Sequence, residues 1–284
     1  MYQEILLGTD GSVGANVATD YAVWLAHKLK ARLRALHVTD VRLLEGPLLA
    51  DMAGALGAQP YSALLPQLQR IQEEKAQTVL RAVAARCEAE HVPCTLLHQT
   101  GGLTHVLLEQ EQPADLVVLG RRGEHAQWAW EALGSSVERM VRASVRPCLV
   151  CPETFQPITH VLLAYDGSDE STKAVRTAIT LAEMLAARLT IVTAYEKDEQ
   201  REAATKVLEQ ARLQVANRKL PVATHLLAQP AEQAILGSAV QSQADLIVMG
   251  AYGHTRIREF IIGSTTTQVM RHAKVPVLLS RNPR

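Results

Sequence analysis

Excess charge of either sign is absent from this sequence. Lysine and arginine together number 29, and so do aspartate and glutamate, so the formal net charge is zero. General nucleic-acid binders draw their affinity from an excess of cations that neutralises phosphates. The balance therefore predicts no nucleic-acid partner, although it leaves room for one local anion site.

Long apolar runs are also absent. No uninterrupted stretch approaches the roughly 20 apolar residues that a membrane helix requires. The opening residues, Met1 to Gly8, lack the basic leader and long apolar segment that are typical of a secretory signal. We therefore expect no membrane partner and a cytoplasmic location.

Cysteine is scarce, with four in 284 residues. Cys148 and Cys151 form C-x-x-C, a spacing found in redox pairs and in halves of zinc sites. The run from Val145 to Cys151 has the character of a strand, in which positions three apart face opposite sides. A zinc site also needs a second pair of ligands, so we expect these two cysteines to be structural.

One pattern is present twice. Three landmarks recur in the same order: Ile5–Ser12 as Val161–Ser168, Ala114–Gly120 as Ala244–Gly250, and Val145–Val150 as Lys274–Leu279, matched at the proline. The chain length suits two domains of roughly 140 residues. We predict domains at 1–153 and 158–284, joined by a short proline-bearing linker.

The two halves differ in length before their second landmark. The interval from Asp10 to Gly120 is about 26 residues longer than that from Asp166 to Gly250. Glycines and prolines place the extra residues within about 42–66. This insert either covers a domain edge at the surface or forms a lid over a ligand.

Short apolar runs alternate with longer amphipathic ones, which is typical of an α/β fold with a parallel sheet between helices. The predicted strands are 4–8, 35–38, 94–98, 116–120 and 148–151 in the first half, and 160–164, 190–194, 223–227, 246–250 and 277–280 in the second. The predicted helices include 15–29, 69–90, 171–187 and 203–219. Ligands of such doubly wound sheets bind beyond the carboxyl ends of the strands, where Asp10, Asp166, Gly120 and Gly250 lie.

A glycine-rich segment follows the fourth strand of the second half. It spans Gly250 to Thr266 and has the spacing G-x2-G-x9-G-S-T. Glycines let backbone approach an anion, and a helix that opens at Gly263 offers free N–H groups and a positive dipole end. Arg256 and Arg258 add positive charge. The segment predicts a phosphate site, with a plain turn and a serine cap as the alternative.

This set of motifs resembles the universal stress protein family in its tandem form, over nearly the whole chain. The resemblance implies two tandem doubly wound domains, each with a five-stranded parallel sheet of order 3-2-1-4-5. Its ATP-binding branch implies ATP as the ligand, with Mg²⁺ as a possible companion. The residues carried over in the second half are Asp166, Ala194, Met249, Gly250, Gly253, Gly263, Ser264 and Thr265.

The first half departs from this pattern. Ten residues, not nine, separate Gly123 from Gly134, and the segment carries Glu124, Glu131, Trp128 and Trp130. Two acids would repel phosphate, whereas Arg121 and Arg122 would offset them. By similarity the site residues are Asp10, Val38, Gly120, Gly123, Gly134, Ser135 and Ser136, and whether they bind nucleotide stays open.

Three functions remain in view. The P-loop, the G-x-S-x-G elbow and the H-E-x-x-H zinc pair are all missing, which favours a nucleotide-binding stress-response or signalling protein with little or no catalysis. A slow ATPase is the alternative, with His254 to polarise a water. The third is a structural pseudo-dimer in which only the second half binds. Its closing strands, 147–151 and 276–280, would pair at their edges, and a further homodimer is possible.

Overall fold

The computed structural model describes residues 2–41, 64–123, 135–251 and 263–281. Within these residues ten strands form one sheet. They are β1 (Glu4–Gly8), β2 (Arg32–Asp40), β3 (Cys94–Gly101), β4 (Leu116–Gly120), β5 (Cys148–Cys151), β6 (His160–Ala164), β7 (Arg188–Tyr195), β8 (Val222–Ala228), β9 (Leu246–Gly250) and β10 (Val277–Ser280). All ten predicted strands are confirmed, and β2, β3, β7 and β8 run longer than predicted.

The helices cover both faces of this sheet. In the described residues they are α1 (Val13–Leu29), α2 (Leu64–Ala89), α3 (Leu103–Gln110), α4 (Ser135–Ala143), α5 (Asp169–Leu185), α6 (Arg201–Val215), α7 (Ala231–Gln241) and α8 (Ser264–His272). None of these helices combines the length and apolar character that a bilayer crossing requires. Of the predicted insert 42–66, residues 64–66 belong to α2 and the rest lies outside the described residues.

The strand order of the whole sheet is β3-β2-β1-β4-β5-β10-β9-β6-β7-β8. Each half has the predicted order 3-2-1-4-5, and all pairs within a half are parallel. The halves meet where β5 pairs antiparallel with β10, with Leu149 opposite Leu278. The predicted pairing of the closing strands is therefore present, and we call this β5–β10 junction the seam.

Two apolar layers fill the space between sheet and helices, and both run through the two halves. One holds side chains of α1, α2, α5 and α6, and the other holds side chains of α3, α4, α7 and α8. Cys151 lies in the first layer and Cys148 in the second, so the two thiols face opposite sides of the sheet as predicted. Burial raises the pKa of Cys148 to about 11.

Two arginines fasten the seam from opposite ends. Arg121 Nη1 donates to the carbonyl oxygens of Arg271 (3.3 Å) and Ala273 (2.7 Å), where α8 ends. Arg281 donates to the carbonyls of Val141, Arg142 and Ser144, where α4 ends. Arginine suits these positions because the last carbonyls of a helix lack partners and carry the negative end of its dipole.

The linker between the halves packs on α1. The Phe155 ring lies edge-on to Tyr21, with 4.8 Å between centroids. The Tyr21 hydroxyl accepts a hydrogen bond from the Gln156 N–H at 3.2 Å. Burial raises the pKa of Tyr21 to about 12. The linker is thus fixed against the first half rather than extended from it.

Candidate functional site

Each half has an acidic turn at the carboxyl end of its first strand. Asp10 Oδ1 accepts the N–H of Ser12 at 3.0 Å, and Asp166 Oδ1 accepts the N–H of Ser168 at 3.0 Å. These two serines also cap the helices that follow, α1 and α5. The turn therefore fixes one carboxylate oxygen and the start of a helix at once.

The glycine of this turn is required by its backbone. Gly11 has φ of +79° and Gly167 has φ of +80°, a region in which side chains are strained. A Cβ at Gly11 would also lie 2.6 Å from Val79 of α2, and one at Gly167 would lie 3.1 Å from Val207 of α6. The second helix of each half thus packs directly on the acidic turn.

The opposite side of the first crevice is built from glycine backbone. A Cβ at Gly120 would lie 2.6 Å from the backbone of Gly14, and one at Gly14 would lie 2.5 Å from the Arg122 carbonyl. A Cβ at Gly123 would lie 2.7 Å from Asp10 Oδ2. Asp10 and Gly123 are therefore neighbours, and Gly120 packs on the start of α1. We call the space at Asp10, Gly120 and Gly123 the first crevice.

The second crevice lies at Asp166, Gly250 and Gly263. A Cβ at Gly250 would lie 2.9 Å from the Cβ of Glu170, so the end of β9 packs on the first turn of α5. Thr266 of α8 donates its hydroxyl to the Gly250 carbonyl at 3.4 Å. The start of α8 is thus held beside the end of β9, as the predicted phosphate site requires.

The N-cap residue of α8 provides no side-chain cap. Gly263 occupies the N-cap position and Ser264 is the first helical residue, so the serine does not cap the helix. Uncapped N–H groups at a helix start are available to an anion, and the helix dipole favours negative charge there. Exposed Ser264 and partly buried Thr265 add hydroxyl groups to this position.

The second strand of each half continues beyond the end of the first strand. Val38 and Ala194 lie two residues beyond the positions of β2 and β7 that pair with the last residues of β1 and β6. Both are partly buried against the core. Met249 differs from this pair, because its side chain is 6% exposed and packs in the core, leaving only backbone toward the crevice.

A buried histidine distinguishes the first crevice. His37 Nδ1 lies 3.0 Å from the Thr9 carbonyl, whereas in the second half the Thr193 hydroxyl donates to the Tyr165 carbonyl at 2.9 Å. Burial, together with the neighbouring His98, lowers the pKa of His37. The sequence interpretation did not single out this residue, although its place one residue before Val38 was a usable signal.

Arg121 and Arg122, which were expected to offset the loop acids of the first half, contact other groups. The Arg121 guanidinium is bonded to the end of α8, and Arg122 Nη1 lies 3.6 Å from Glu153 Oε1. The Arg121 side chain is therefore directed across the seam. The predicted offset of the loop acids by Arg121 and Arg122 stays a prediction, because those acids lie outside the described residues. Several predicted residues lie outside the described ones: Gly134, Gly253, His254, Arg256, Arg258, Glu124, Glu131, Trp128 and Trp130. Ser135 and Ser136 open α4, in the same position as Ser264 and Thr265 in α8.

Metal ligands are not grouped in the described part of the chain. No set of three or more His, Cys, Asp or Glu side chains there is arranged to hold a metal ion. Cys148 and Cys151 lie on opposite faces of the sheet, so they do not form half of a zinc site.

A family model matches this arrangement twice along the chain. The universal stress protein family model matches residues 1–152 and 157–281. The chain belongs to the universal stress protein family. A universal stress protein of Synechocystis sp. is 36% identical over 293 residues, covering 98% of this chain and 100% of the relative.

Solved universal stress proteins share the fold. The crystal structure of one from Archaeoglobus fulgidus has a TM-score of 0.76 at 22% identity and covers 98% of each chain. A universal stress protein crystallised in complex with cAMP matches 44% of this chain and 99% of its own, at 24% identity and a TM-score of 0.39. The tandem universal stress protein fold therefore extends over both halves.

Proposed function

We propose that this universal stress protein binds adenine nucleotide, with ATP as the ligand, and acts in stress response or signalling with little or no catalysis. The observation that carries the proposal is the start of α8, which has a glycine at its N-cap and is held beside the end of β9. It supplies N–H donors and a dipole for phosphate. The location proposed for this activity is the cytoplasm.

The proposed nucleotide site combines residues from four places in each half. In the second crevice they are Asp166, Ala194, Met249, Gly250, Gly253, Gly263, Ser264 and Thr265. In the first they are Asp10, Val38, Gly120, Gly123, Gly134, Ser135 and Ser136. We propose the phosphates at the helix start, the nucleoside near the aspartate and the base under the second strand. The domain limits proposed for the two units are 1–153 and 158–284.

The test places one negative charge in each phosphate position in turn. Thr265→Glu puts a carboxylate in the first turn of α8, and Ser136→Glu does the same in α4. Acids at helix starts stabilise the helix, so both variants should fold. The carboxylate would repel phosphate, so we expect Thr265→Glu to weaken ATP binding by about 100-fold, or roughly 2.7 kcal/mol.

The measurement is isothermal titration calorimetry with ATP, ADP, AMP and cAMP, with and without Mg²⁺, together with the nucleotide content of denatured protein. Wild-type protein that binds none of these ligands, and shows no nucleotide-dependent rise in melting temperature, refutes the proposal. Two sites per chain, each lost in one variant only, support binding in both halves.

The structural pseudo-dimer is the second candidate, and the seam favours it. Arg121, next to the first crevice, is bonded to the second half, which suits a first half that acts as a platform. One nucleotide per chain, lost in Thr265→Glu and kept in Ser136→Glu, would select this candidate. Phosphate release at several turnovers per second would instead favour the ATPase.

A further inference from the structure

Two cysteines of the first half meet where α2 ends and β3 begins. Cys87 lies in the last turn of α2, Cys94 is the first residue of β3, and both thiols are free. The chain reverses between them, and the Val92 N–H donates to the Cys87 carbonyl at 2.8 Å. The Cys87 S–H donates a hydrogen bond to the Cys94 sulfur. The two sulfurs are therefore in direct contact, although seven positions separate them in the sequence.

The second half packs the equivalent place without sulfur. Cys94 and Val222 correspond, since each is the first residue of its strand and pairs with the second residue of the strand before it. Val215 precedes Val222 by the same seven positions, ends α6, and lies in the apolar layer that also holds Cys87. Two valines thus occupy these positions in the second half, so packing alone does not require thiols in the first.

The two thiols differ in exposure and in acidity. Cys87 is 1% exposed in the core, whereas Cys94 is partly exposed on β3, an edge strand of the described sheet. The hydrogen bond from Cys87 lowers the pKa of Cys94 although burial opposes it, and the Ala35 backbone adds to the lowering. The same hydrogen bond, together with burial, raises the pKa of Cys87. This arrangement suits an accessible attacking thiolate beside a buried resolving thiol.

The other two cysteines provide a contrast within the same chain. Cys148 and Cys151 are both buried in the core, and they lie on opposite faces of the sheet. Burial raises the pKa of both thiols, which keeps them in the unreactive protonated form. The four cysteines therefore divide into one adjacent pair with an accessible member and two separate buried thiols.

We propose that Cys87 and Cys94 form a reversible redox pair, which hydroperoxides oxidise to an intramolecular disulfide. The Cys94 thiolate attacks one peroxide oxygen, the O–O bond breaks, and water or an alcohol leaves as Cys94 becomes a sulfenic acid. The Cys87 sulfur then gives up its proton and attacks the Cys94 sulfur, so that the S–S bond forms, the S–O bond breaks and water leaves. Together the thiols lose two electrons and two protons, which the peroxide gains. A thiol reductant reverses the reaction by exchange.

The experiment treats the reduced full chain with hydrogen peroxide and counts the free thiols after denaturation. Trypsin releases residues 87–121 as one peptide with both cysteines, because no lysine or arginine lies between Arg86 and Arg121. We expect the free thiols to fall from four to two, and this peptide to lose the mass of two hydrogen atoms. Dithiothreitol should restore both thiols.

Two variants that copy the second half separate the roles of the two thiols. Because valines hold these positions there, Cys87→Val and Cys94→Val should both fold. Cys87→Val should stop at the Cys94 sulfenic acid, which dimedone labels. Cys94→Val should react with peroxide at least about tenfold more slowly than wild type. Cys148→Val is the matched control, since Val277 also opens the last strand of its half, and it should form the disulfide at the wild-type rate.

The decisive readout uses wild-type protein and does not depend on the variants. Peptide 87–121 that keeps both thiols in excess peroxide would overturn the proposal, and so would disulfides that form only between chains. Loss of the Cys148 and Cys151 thiols as fast as those of the pair would also overturn it. The pair lies at the amino end of β3, whereas the crevices lie at the carboxyl ends of the strands, so this proposal stands or falls independently of nucleotide binding.

Discussion

The two crevices of this universal stress protein share a backbone frame and differ in the side chains around it. Both begin with an aspartate bonded to a capping serine and a glycine at positive φ. Around this frame the first crevice has Gly14 and His37, whereas the second has Glu170 and Thr193. The comparison shows that duplication preserved the geometry of the turns while the charge around each crevice changed.

The seam offers a second comparison, in which different residues make the same contact. Aligned at Pro147 and Pro276, Arg142 and Ser144 are equivalent to Arg271 and Ala273. The carbonyls of both pairs accept hydrogen bonds from an arginine of the other half. The donors are not equivalent, because Arg121 follows β4 whereas Arg281 follows β10. At each end of the seam, an arginine of one half therefore contacts the carboxyl terminus of a helix in the other half, although the two arginines follow different strands.

Removing these arginines should have the largest effect on stability. Each bonds two or more carbonyls at a partly buried position. We expect Arg281→Met and Arg121→Met each to lower the free energy of unfolding by about 2–3 kcal/mol, because charged hydrogen bonds are lost and helix carbonyls lose their partners. Urea unfolding followed by circular dichroism measures this loss.

Arg32→Met is the control for the arginine variants. Arg32 pairs with Glu4 at 3.2 Å, and its side chain is 72% exposed, so the loss should stay below about 0.5 kcal/mol. If the seam variants lose no more than this control, the arginines do not fasten the halves.

Alanine at the last glycine of the fourth strand should lower stability less than the arginine variants do, and more in the first half than in the second. A Cβ at Gly120 meets the backbone of Gly14 at 2.6 Å, whereas the atoms nearest to one at Gly250, in Glu170 and Ser171, lie at 2.9–3.1 Å, so the second contact is looser. We expect Gly120→Ala to cost about 2 kcal/mol and Gly250→Ala about 1 kcal/mol. Thermal unfolding by calorimetry tests the order of the two losses.

Gly237→Ala is the matched control for added volume. Gly237 is exposed within α7, and its built Cβ meets only Gln229 at 4.0 Å. Alanine is the better helix former, so this variant should gain about 0.5–1 kcal/mol. An equal loss in Gly120→Ala and Gly250→Ala would show that the two contacts are alike.

The smallest predicted effect is the loss of stability that His37 causes at acid pH. Burial and the nearby His98 lower the pKa of His37, with Lys75 of α2 also lowering it and Asp10 opposing. As pH falls below about 6.5 the unfolded chain binds the proton first, so stability is lost as pH falls through the lowered pKa of the folded state. His37→Thr, which copies the second half, should reduce the fall in melting temperature between pH 7.5 and 5.5.

His105→Thr is the control for removing a histidine. Its side chain is 78% exposed, so the substitution should leave the fall in melting temperature unchanged. Because each variant is compared with itself at two pH values, any general loss from the substitution cancels. An unchanged fall in His37→Thr would mean that His37 is not an acid-sensitive group.

The fold was predictable because its signals are local. Apolar runs bounded by glycine and proline located all ten strands. The family resemblance implied the order of the strands in each half. The opposite facing of Cys148 and Cys151 followed from the two-residue period of a strand. Strand lengths were less predictable, because β2 and β7 continue past the ends of β1 and β6 while they stay paired with β3 and β8.

At the site, the placement of the backbone was predictable, whereas the partners of the charged side chains were less so. Asp10 and Gly123 are neighbours and Gly120 packs on the start of α1, as expected from the ends of neighbouring parallel strands. The partner of Arg121 lies about 150 positions away across the seam, and no local pattern indicates such a contact. The contact of Glu170 with Gly250 was not predicted for a related reason, because in the sequence Glu170 resembles any acid at a helix start.

The seam has an evolutionary consequence. Strands β5 and β10 pair within one polypeptide, so their association does not depend on protein concentration. In a symmetric homodimer every substitution appears at both positions, and a mutation that suits one crevice is imposed on the other. A covalent pair is released from that constraint, so the two copies can carry different residues at equivalent positions, as they do at Gly14 and Glu170.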